Sequence, residues 1–209
     1  MDGVIINSGV THREAWVAFN RRFGLETGDA VLDRVHGWRN DDIVREFFGD
    51  GLSSEEVAAR GAGKEALYRE MIADRVGSLL VPGIRSFLER YRARPIGLAS
   101  NAEPRNVDFV LDRGGLRRYF RVVVDGHQVR HPKPHPEVYL RAASLLGMAP
   151  ANCIAFEDST GGVAAARAAG MRVVGITTGC HSLPGAHYMA ADFRSMELVS
   201  WLGAQKPAV

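Results

Sequence analysis

The sequence has few of the features found in extracellular or membrane-embedded proteins. Only two of its 209 residues are cysteines, Cys153 and Cys180, too few for a disulfide framework or a cysteine-based metal cluster. No apolar run approaches the roughly 20 residues that a membrane-spanning helix needs. No basic segment followed by an apolar core indicates a signal peptide. These absences predict a soluble protein of the reducing cytoplasm.

Lysine is also scarce, because Lys64, Lys133 and Lys206 are the only lysines among 26 basic residues. Basic and acidic residues are interspersed and give a net charge of +2, without the basic stripe of a nucleic-acid or anionic-membrane interface. Small anions remain possible partners. With 46% apolar residues, the chain can bury a core as one domain or as a core with an inserted subdomain.

The second half of the chain alternates short apolar runs with segments of helical periodicity. Strands are predicted over 95–100, 121–124, 153–158 and 172–177, and helices over 106–113, 137–146 and 162–169. This alternation predicts an α/β fold, a doubly wound, Rossmann-like parallel sheet with helices on both faces. Ligands of such sheets bind at the carboxyl ends of the strands.

Residues 11–80 have only helical spacings and predict a helical block without strands. Helix starts are expected at Asp41 or Asp42 and at Ser53 or Ser54. Residues 81–83, Val-Pro-Gly, end the block. We therefore expect residues 1–8 and 81–209 to form an α/β core and residues 9–80 a helical insertion.

Glu157 and Asp158 end a predicted buried strand and are followed by Ser159. Two carboxylates at the ligand edge of the sheet supply the hard oxygen atoms that Mg²⁺ prefers. The alternative is a solvated strand end at which Asp158 or Ser159 caps the next helix.

Lys133 lies in the run His-Pro-Lys-Pro-His-Pro, where prolines fix the backbone on both sides. In a chain poor in lysine, an ammonium group held there suggests the neutralisation of a phosphate oxygen. The alternative is an exposed loop lysine.

Four further residues are weaker candidates. Ser100 and Asn101 follow a predicted strand near a helix start, which is typical of an anion-binding site or of ordinary helix capping. Asp2 precedes a glycine, and such a pair is usually a turn, while a histidine at the position of His12 is more often a surface residue. Cys153 is predicted to be a core residue, and no adjacent carboxylate supports a nucleophilic role for Cys180 with His181.

Taken in order, several segments resemble the motifs of the haloacid dehalogenase superfamily, and in particular its β-phosphoglucomutase-like phosphatase branch. They are Asp-Gly-Val-Ile at 2–5, Ser-Asn at 100–101, Lys-Pro at 133–134, Glu-Asp-Ser at 157–159 and Ala-Ala-Gly at 168–170. The resemblance implies a Rossmann-like core with an inserted helical cap, and a Mg²⁺-dependent phosphatase acting on a small phosphorylated metabolite.

The resemblance also implies roles for individual residues. Asp2 would act as general acid and base, with its carbonyl on Mg²⁺, and Glu157 and Asp158 would bind the metal directly or through water. Phosphoryl oxygens would be held by Ser100, Asn101 and Lys133. The positions of Ser8 and His12 match the cap hinge near the substrate, and residues 37–40, with Arg39 and Asn40, match the substrate loop of the cap.

The first motif of the family is Asp-x-Asp-Gly-Val, in which the first aspartate attacks phosphorus. Asp2 matches the second aspartate, so the attacking position falls before Met1, together with the first core strand. We expect the full-length product to begin upstream and the 209-residue chain to lack turnover. The alternative is an inactive phosphate-binding protein.

Other activities fit the residues less well. The mutases of this branch have an arginine three residues after the loop glycine, where this chain has Asn40, with Arg39 one position earlier. This departure favours a phosphatase over a phosphomutase. The carboxylates Asp2, Glu157 and Asp158 argue against a dehalogenase proper, which needs no Mg²⁺. No Rossmann fingerprint or P-loop supports a nucleotide-binding domain.

Overall fold

The short apolar runs of the second half form the strands of the protein. The computed structural model describes residues 1–35, 37–178 and 182–205. Its strands are β1 (Gly97–Ala99), β2 (Val122–Val124), β3 (Ile154–Glu157), β4 (Arg172–Ile176) and β5 (Tyr188–Ala190). The first four lie within the predicted ranges. The sequence did not predict β5, because Tyr-Met-Ala is short and has no β-branched residue.

Helices fill the first half of the described chain and alternate with the strands in the second. They are α1 (Gly9–Arg21), α2 (Asp29–Arg34), α3 (Asn40–Phe48), α4 (Ser54–Ile72), α5 (Val76–Leu79), α6 (Ile84–Arg90), α7 (Pro104–Arg113), α8 (Glu137–Leu145), α9 (Thr160–Ala168) and α10 (Met196–Gly203). None of these helices combines the length and the apolar character that crossing a bilayer requires.

All strand pairings between these strands are parallel, as the alternation of strands and helices predicts. β1 pairs with β2, so that Leu98 lies opposite Val123. β4 lies between β3 and β5 in a second sheet. Within the described ranges, no strand joins β1 to β3.

Helices cover both faces of the β3–β4–β5 sheet, which confirms the predicted α/β architecture. Successive side chains of a strand point to opposite faces. Accordingly, Val174 of β4 packs in a hydrophobic cluster with α6 and α7, whereas its neighbour Val173 packs in a second cluster with α8 and α9. Ile5 and Ile6 belong to the first cluster, so the N-terminal segment is part of the core.

Helices α1–α5 make up the block between the N-terminal segment and the α/β part. Trp16, Phe19 and Val44 lie in a cluster of their own. Tyr68 and Ile72, in the C-terminal half of α4, instead pack in the cluster of the α/β core. We propose that residues 9–80 form a cap that rests on the core through α4.

The predicted starts of two helices in this block can be compared with the structure. Ser53 caps α4 as predicted, because its hydroxyl accepts a hydrogen bond from the Glu56 amide while the Glu56 carboxylate accepts one from the Ser53 amide. α3 begins at Asn40 rather than at Asp41 or Asp42. These two acidic residues lie in its first turn, where negative charge favours the helix.

One prediction about the cysteines is wrong. Cys153 precedes β3 and is only partly buried, because the strand begins at Ile154. It is therefore not a core residue. Cys180 and His181 lie outside the described residues.

Candidate active site

A cavity of about 240 Å³ opens at the carboxyl ends of β1 and β3, between the α/β core and the helical block. Every predicted site residue lines it: Asp2, Ser8, His12, Arg39, Asn40, Ser100, Asn101, Lys133, Glu157 and Asp158. The structure thus brings together residues that are up to 156 positions apart in the sequence (158 − 2).

Asp2 lies on one wall of the cavity. Its Oδ1 accepts a hydrogen bond of 2.6 Å from the Ser8 hydroxyl and lies 3.4 Å from His12 Nε2. Burial raises the pKa of Asp2, but the hydrogen bonds from His12 and from the Ser8 hydroxyl help to bring it below its ordinary value. Asp2 is therefore a carboxylate at neutral pH in the unliganded site and can accept a proton.

Lys133 is held by its backbone and by its side chain. Its amide donates to the Asn101 side-chain oxygen at 3.2 Å, and its Nζ donates to the Ala99 carbonyl at 3.3 Å and to the Glu157 carboxylate. Only 12% of the side chain is exposed. Lys133 is therefore not an exposed loop lysine, and its ammonium group faces the cavity from a fixed position.

Glu157 is engaged by its neighbours rather than free at the strand end. Its Oε1 accepts hydrogen bonds from Lys133 and from the Tyr139 hydroxyl. Burial raises the pKa of Glu157, but the charge and hydrogen bond of Lys133 outweigh it, so the pKa lies below its ordinary value. Glu157 therefore holds Lys133 in place, while its Oε2 accepts longer hydrogen bonds from the Asp158 amide at 3.3 Å and the Ser159 hydroxyl at 3.5 Å.

Asp158 is the candidate for a direct metal ligand in this cavity. Its side chain has no hydrogen-bond or ion-pair partner in the ranges that the structure describes. Burial and the charges of Glu157 and Asp2 raise the pKa of Asp158 to about 7. No group of three or more His, Cys, Asp or Glu side chains among the described residues is arranged to hold a metal. A divalent cation here would need main-chain or water oxygens beside Asp158, and Mg²⁺ accepts such ligands.

Gly3 brings the N-terminal backbone against Asp158. Its φ is +65°, and a Cβ built on it would overlap the Asp158 carboxylate. The Gly3 carbonyl accepts a hydrogen bond from the Thr178 hydroxyl, which fixes this close approach. The main chain at residues 2–3 is therefore held beside the candidate metal ligand.

Ser100 and Asn101 do not cap helix α7, which was the alternative to an anion-binding role. Ser100 is buried, and its Oγ accepts a hydrogen bond of 3.1 Å from the Ala102 amide. The N-cap of α7 is Glu103, followed by Pro104 at the first helical position. Ser100 therefore caps a turn rather than α7, and Asn101 contributes through its bond to Lys133.

Sequence reasoning missed a buried polar network behind His12. Lys64 is 1% exposed, pairs with Glu65 at 2.8 Å, and its Nζ lies 2.8 Å from His12 Nδ1. Glu65 also accepts a hydrogen bond of 2.6 Å from Asn106 of α7. Because an ammonium group only donates, His12 Nδ1 is the acceptor and Nε2–H faces Asp2. The available signal was a lysine four residues before Tyr68 on the apolar stripe of α4.

Residues 37–40, the predicted substrate loop, contact the α/β core through Arg39. The Arg39 guanidinium donates a hydrogen bond of 2.7 Å to the Gly126 carbonyl. Gly126 itself packs on the Asn101 carbonyl so closely that a Cβ would overlap it. Asn40 begins α3 and lies against Gly61 of α4. Arg39 is thus the predicted loop residue that bridges the cap and the core.

Replacing Gly162 tests the packing under Glu157. A Cβ at this position would overlap the Glu157 carboxylate, so we expect Gly162→Ala to lower the free energy of unfolding by about 1 to 3 kcal/mol. Gly161→Ala is the matched control, since its Cβ would meet open space on the same helix. Urea unfolding of both variants measures the difference, and equal effects would contradict the packing described.

Comparisons with known proteins agree with this site. A family model described as haloacid dehalogenase-like hydrolase matches residues 1–170. Fructose-1-phosphate phosphatase YqaB of Escherichia coli (strain K12) is 33% identical over 180 residues, covering 84% of this chain and 93% of that protein. Protein CbbY of Rhodobacter capsulatus is 35% identical over 216 residues, covering 95% of this chain and 91% of that protein.

Solved structures have the same fold. A β-phosphoglucomutase from Clostridium difficile superposes with a TM-score of 0.85 at 25% identity, covering 96% of this chain and 92% of that one. The helical block and the α/β part are therefore both present in a solved relative.

Proposed function

Because the chain belongs to the haloacid dehalogenase-like hydrolase family, we propose that it is a Mg²⁺-dependent phosphatase that hydrolyses a small phosphomonoester, a sugar phosphate. The observation that carries the proposal is that Lys133, Ser100, Asp2 and Asp158 line one and the same cavity. Phosphoryl transfer requires this combination, because catalysis depends on positioning and on neutralising charge on the phosphoryl oxygens. A relative named as a fructose-1-phosphate phosphatase supports the substrate class.

We propose that an aspartate joined to the amino side of Met1 attacks phosphorus. Met1 is 6% exposed, and its nitrogen lies within electrostatic reach of Lys133, Asp2, Glu157 and Asp158. A residue joined to that nitrogen would therefore lie beside the bound phosphoryl group. Its carboxylate oxygen forms a bond to phosphorus while the ester P–O bond breaks, giving an aspartyl-phosphate.

Asp2 is proposed to move the protons of both steps. The departing alcohol takes a proton from the Asp2 carboxyl, and Asp2 later takes a proton from the water that releases inorganic phosphate. A phosphate dianion bound beside Asp2 raises its pKa by charge repulsion, which supplies the protonated form for the first step. The bonds from Ser8 and His12 hold the carboxyl in position for both transfers.

Mg²⁺ would be held by the Asp158 carboxylate and the main-chain carbonyl of Asp2, with Glu157 acting through water. The occupied Oε1 of Glu157 favours this indirect role. When bound, Mg²⁺ neutralises charge on the transferring phosphoryl group. Lys133 neutralises charge on the same group, while Ser100 and Asn101 hold the remaining oxygens.

A substrate panel tests the function and separates it from its alternatives. The chain extended upstream in its genomic reading frame is incubated with Mg²⁺ and fructose 1-phosphate, β-glucose 1-phosphate or p-nitrophenyl phosphate. We expect release of inorganic phosphate. Conversion of β-glucose 1-phosphate to glucose 6-phosphate without phosphate release would support a phosphomutase. The mutases of this branch have an arginine in this loop, whereas the Arg39 guanidinium of this chain is bonded to the Gly126 carbonyl, which argues against this outcome. Binding without turnover would support a phosphate-binding protein.

Arg39 is expected to affect substrate binding more than chemistry. Arg39 bridges the cap and the core, so losing its contact with Gly126 should loosen the cavity in which substrate binds. Because a hydrogen bond to a charged group contributes about 1.5 to 3 kcal/mol, we expect KM to rise by about tenfold or more in Arg39→Ala. We expect kcat to change little, because Arg39 contacts no residue with a proposed catalytic role. Arg22→Ala, which removes an exposed arginine of the same cap, is the control for charge. An unchanged KM in Arg39→Ala would show that the contact plays no part in binding.

A further inference from the structure

Tyr68 is a fully buried residue of α4 to which the proposed mechanism gives no role. Its side chain is 0% exposed, and its hydroxyl has no hydrogen-bond partner in the described part of the chain. A buried hydroxyl without a partner costs free energy, and phenylalanine would fill the same space without that cost. The hydroxyl therefore calls for an explanation other than packing.

The ring of Tyr68 lies against the site. It stacks on the His12 imidazole with ring centroids 3.7 Å apart and planes inclined by 11°. His12 is thus held between this ring, Lys64 at Nδ1 and Asp2 at Nε2. Stacking fixes the plane of the imidazole, which is the one degree of freedom that the two polar contacts leave.

Ser8 is a neighbour of the Tyr68 hydroxyl, although the two groups are not hydrogen-bonded in the structure. Burial and the charges of Asp2 and Glu65 raise the pKa of Tyr68. The phenol therefore stays protonated and can donate. Ser8 occupies the N-cap position of α1 but gives its hydrogen to Asp2 instead of capping the helix. The Ser8 oxygen is left with free lone pairs.

We propose that Tyr68 is a positioning residue for Asp2, acting through His12 and Ser8. Its ring keeps His12 Nε2–H aimed at Asp2, and its hydroxyl is a donor that keeps the Ser8 hydrogen on Asp2 when substrate is bound. A hydrogen bond into the Ser8 oxygen strengthens the bond that Ser8 donates, because chained hydrogen bonds polarise one another. The inference rests on the proposed function of Asp2.

The test compares two tyrosines that lose their hydroxyl groups. In the upstream-extended protein, Tyr68→Phe is expected to lower kcat by about tenfold, as changes to residues that orient a reactive group do. KM should stay within about twofold and the urea midpoint should stay equal or rise, since a buried orphan hydroxyl is removed. Tyr119→Phe is the control, because the Tyr119 hydroxyl donates to Glu89 at 2.8 Å outside the site. It should lower the urea midpoint and leave kcat unchanged.

The role of the Tyr68 ring can be tested without measuring turnover. In ¹⁵N–¹H NMR spectra, the Nε2–H tautomer of His12 should persist in Tyr68→Phe and be lost or averaged in Tyr68→Leu. Turnover unaffected by Tyr68→Phe would overturn the role of the hydroxyl, and an unchanged His12 signal in Tyr68→Leu would overturn the role of the ring. Absence of turnover by the unsubstituted extended protein would refute the proposed function instead, and the NMR comparison would still decide the stacking role.

Discussion

Lys133→Met is expected to lower kcat of the upstream-extended protein by about a hundredfold to a thousandfold, the usual effect of removing one preorganised donor from a charged transition state. The ammonium group faces the cavity from a position fixed by Ala99, Asn101 and Glu157. Methionine keeps the side chain as far as Cε and removes the ammonium group with its charge and donors. Steady-state kinetics with p-nitrophenyl phosphate measures the loss.

The same substitution should also destabilise the protein, and the two effects can be separated. Removing Lys133 leaves Glu157 as a buried carboxylate without its cation, which costs about 3 to 5 kcal/mol when a buried pair is broken. The double variant Lys133→Met with Glu157→Gln removes the unpaired charge. We expect it to regain most of the stability in urea unfolding and to remain inactive. Recovery of turnover in the double variant would show that Lys133 acts only on stability.

Gly3→Ala is the second substitution for which we expect a large effect. An L-residue in the left-handed region costs about 1 to 2 kcal/mol, and here the new Cβ would also overlap the Asp158 carboxylate. Displacing Asp158 should raise the Mg²⁺ concentration for half-maximal activity by about tenfold or more. Phosphate release measured as Mg²⁺ is titrated reports this shift.

Gly24→Ala separates backbone strain from contact with Asp158. Gly24 has a φ of +74° and open space where a Cβ would lie, so alanine there has a similar conformational cost and no overlap. Urea unfolding should show Gly3→Ala to be less stable than Gly24→Ala by about 1 to 3 kcal/mol, the cost of overpacking. Equal stability and equal Mg²⁺ dependence of the two variants would contradict the close approach of Gly3 to Asp158.

The sequence predicted the parts of the fold and site that depend on local pattern and chain order. The four apolar runs became β1–β4, and the polar residues that follow β1 and β3 meet at one cavity, because parallel strands bring their carboxyl ends to the same edge. Lys133 was found because prolines flank it and lysine is scarce. The alternation of strands and helices was enough to predict helices on both faces.

The sequence could not predict features that depend on contacts between distant segments. The position of Lys64 on the apolar stripe of α4 was the only signal of its burial, and its contacts with Glu65 and His12 show why a charged residue can be buried there. The occupation of Glu157 by Lys133 and Tyr139 likewise joins three separate elements. β5 was missed because its pairing with β4, rather than its own residues, makes it a strand.

The most direct test of the account is phosphate release by the upstream-extended protein as Mg²⁺ is titrated, with Asp158→Asn measured alongside. We predict that release requires Mg²⁺, stops in excess EDTA and falls at least a hundredfold in Asp158→Asn, since the asparagine removes the charge of the carboxylate proposed to bind the metal directly. Release that continues at the same rate in EDTA, or is unchanged in Asp158→Asn, would contradict a metal-assisted phosphoryl site in this cavity.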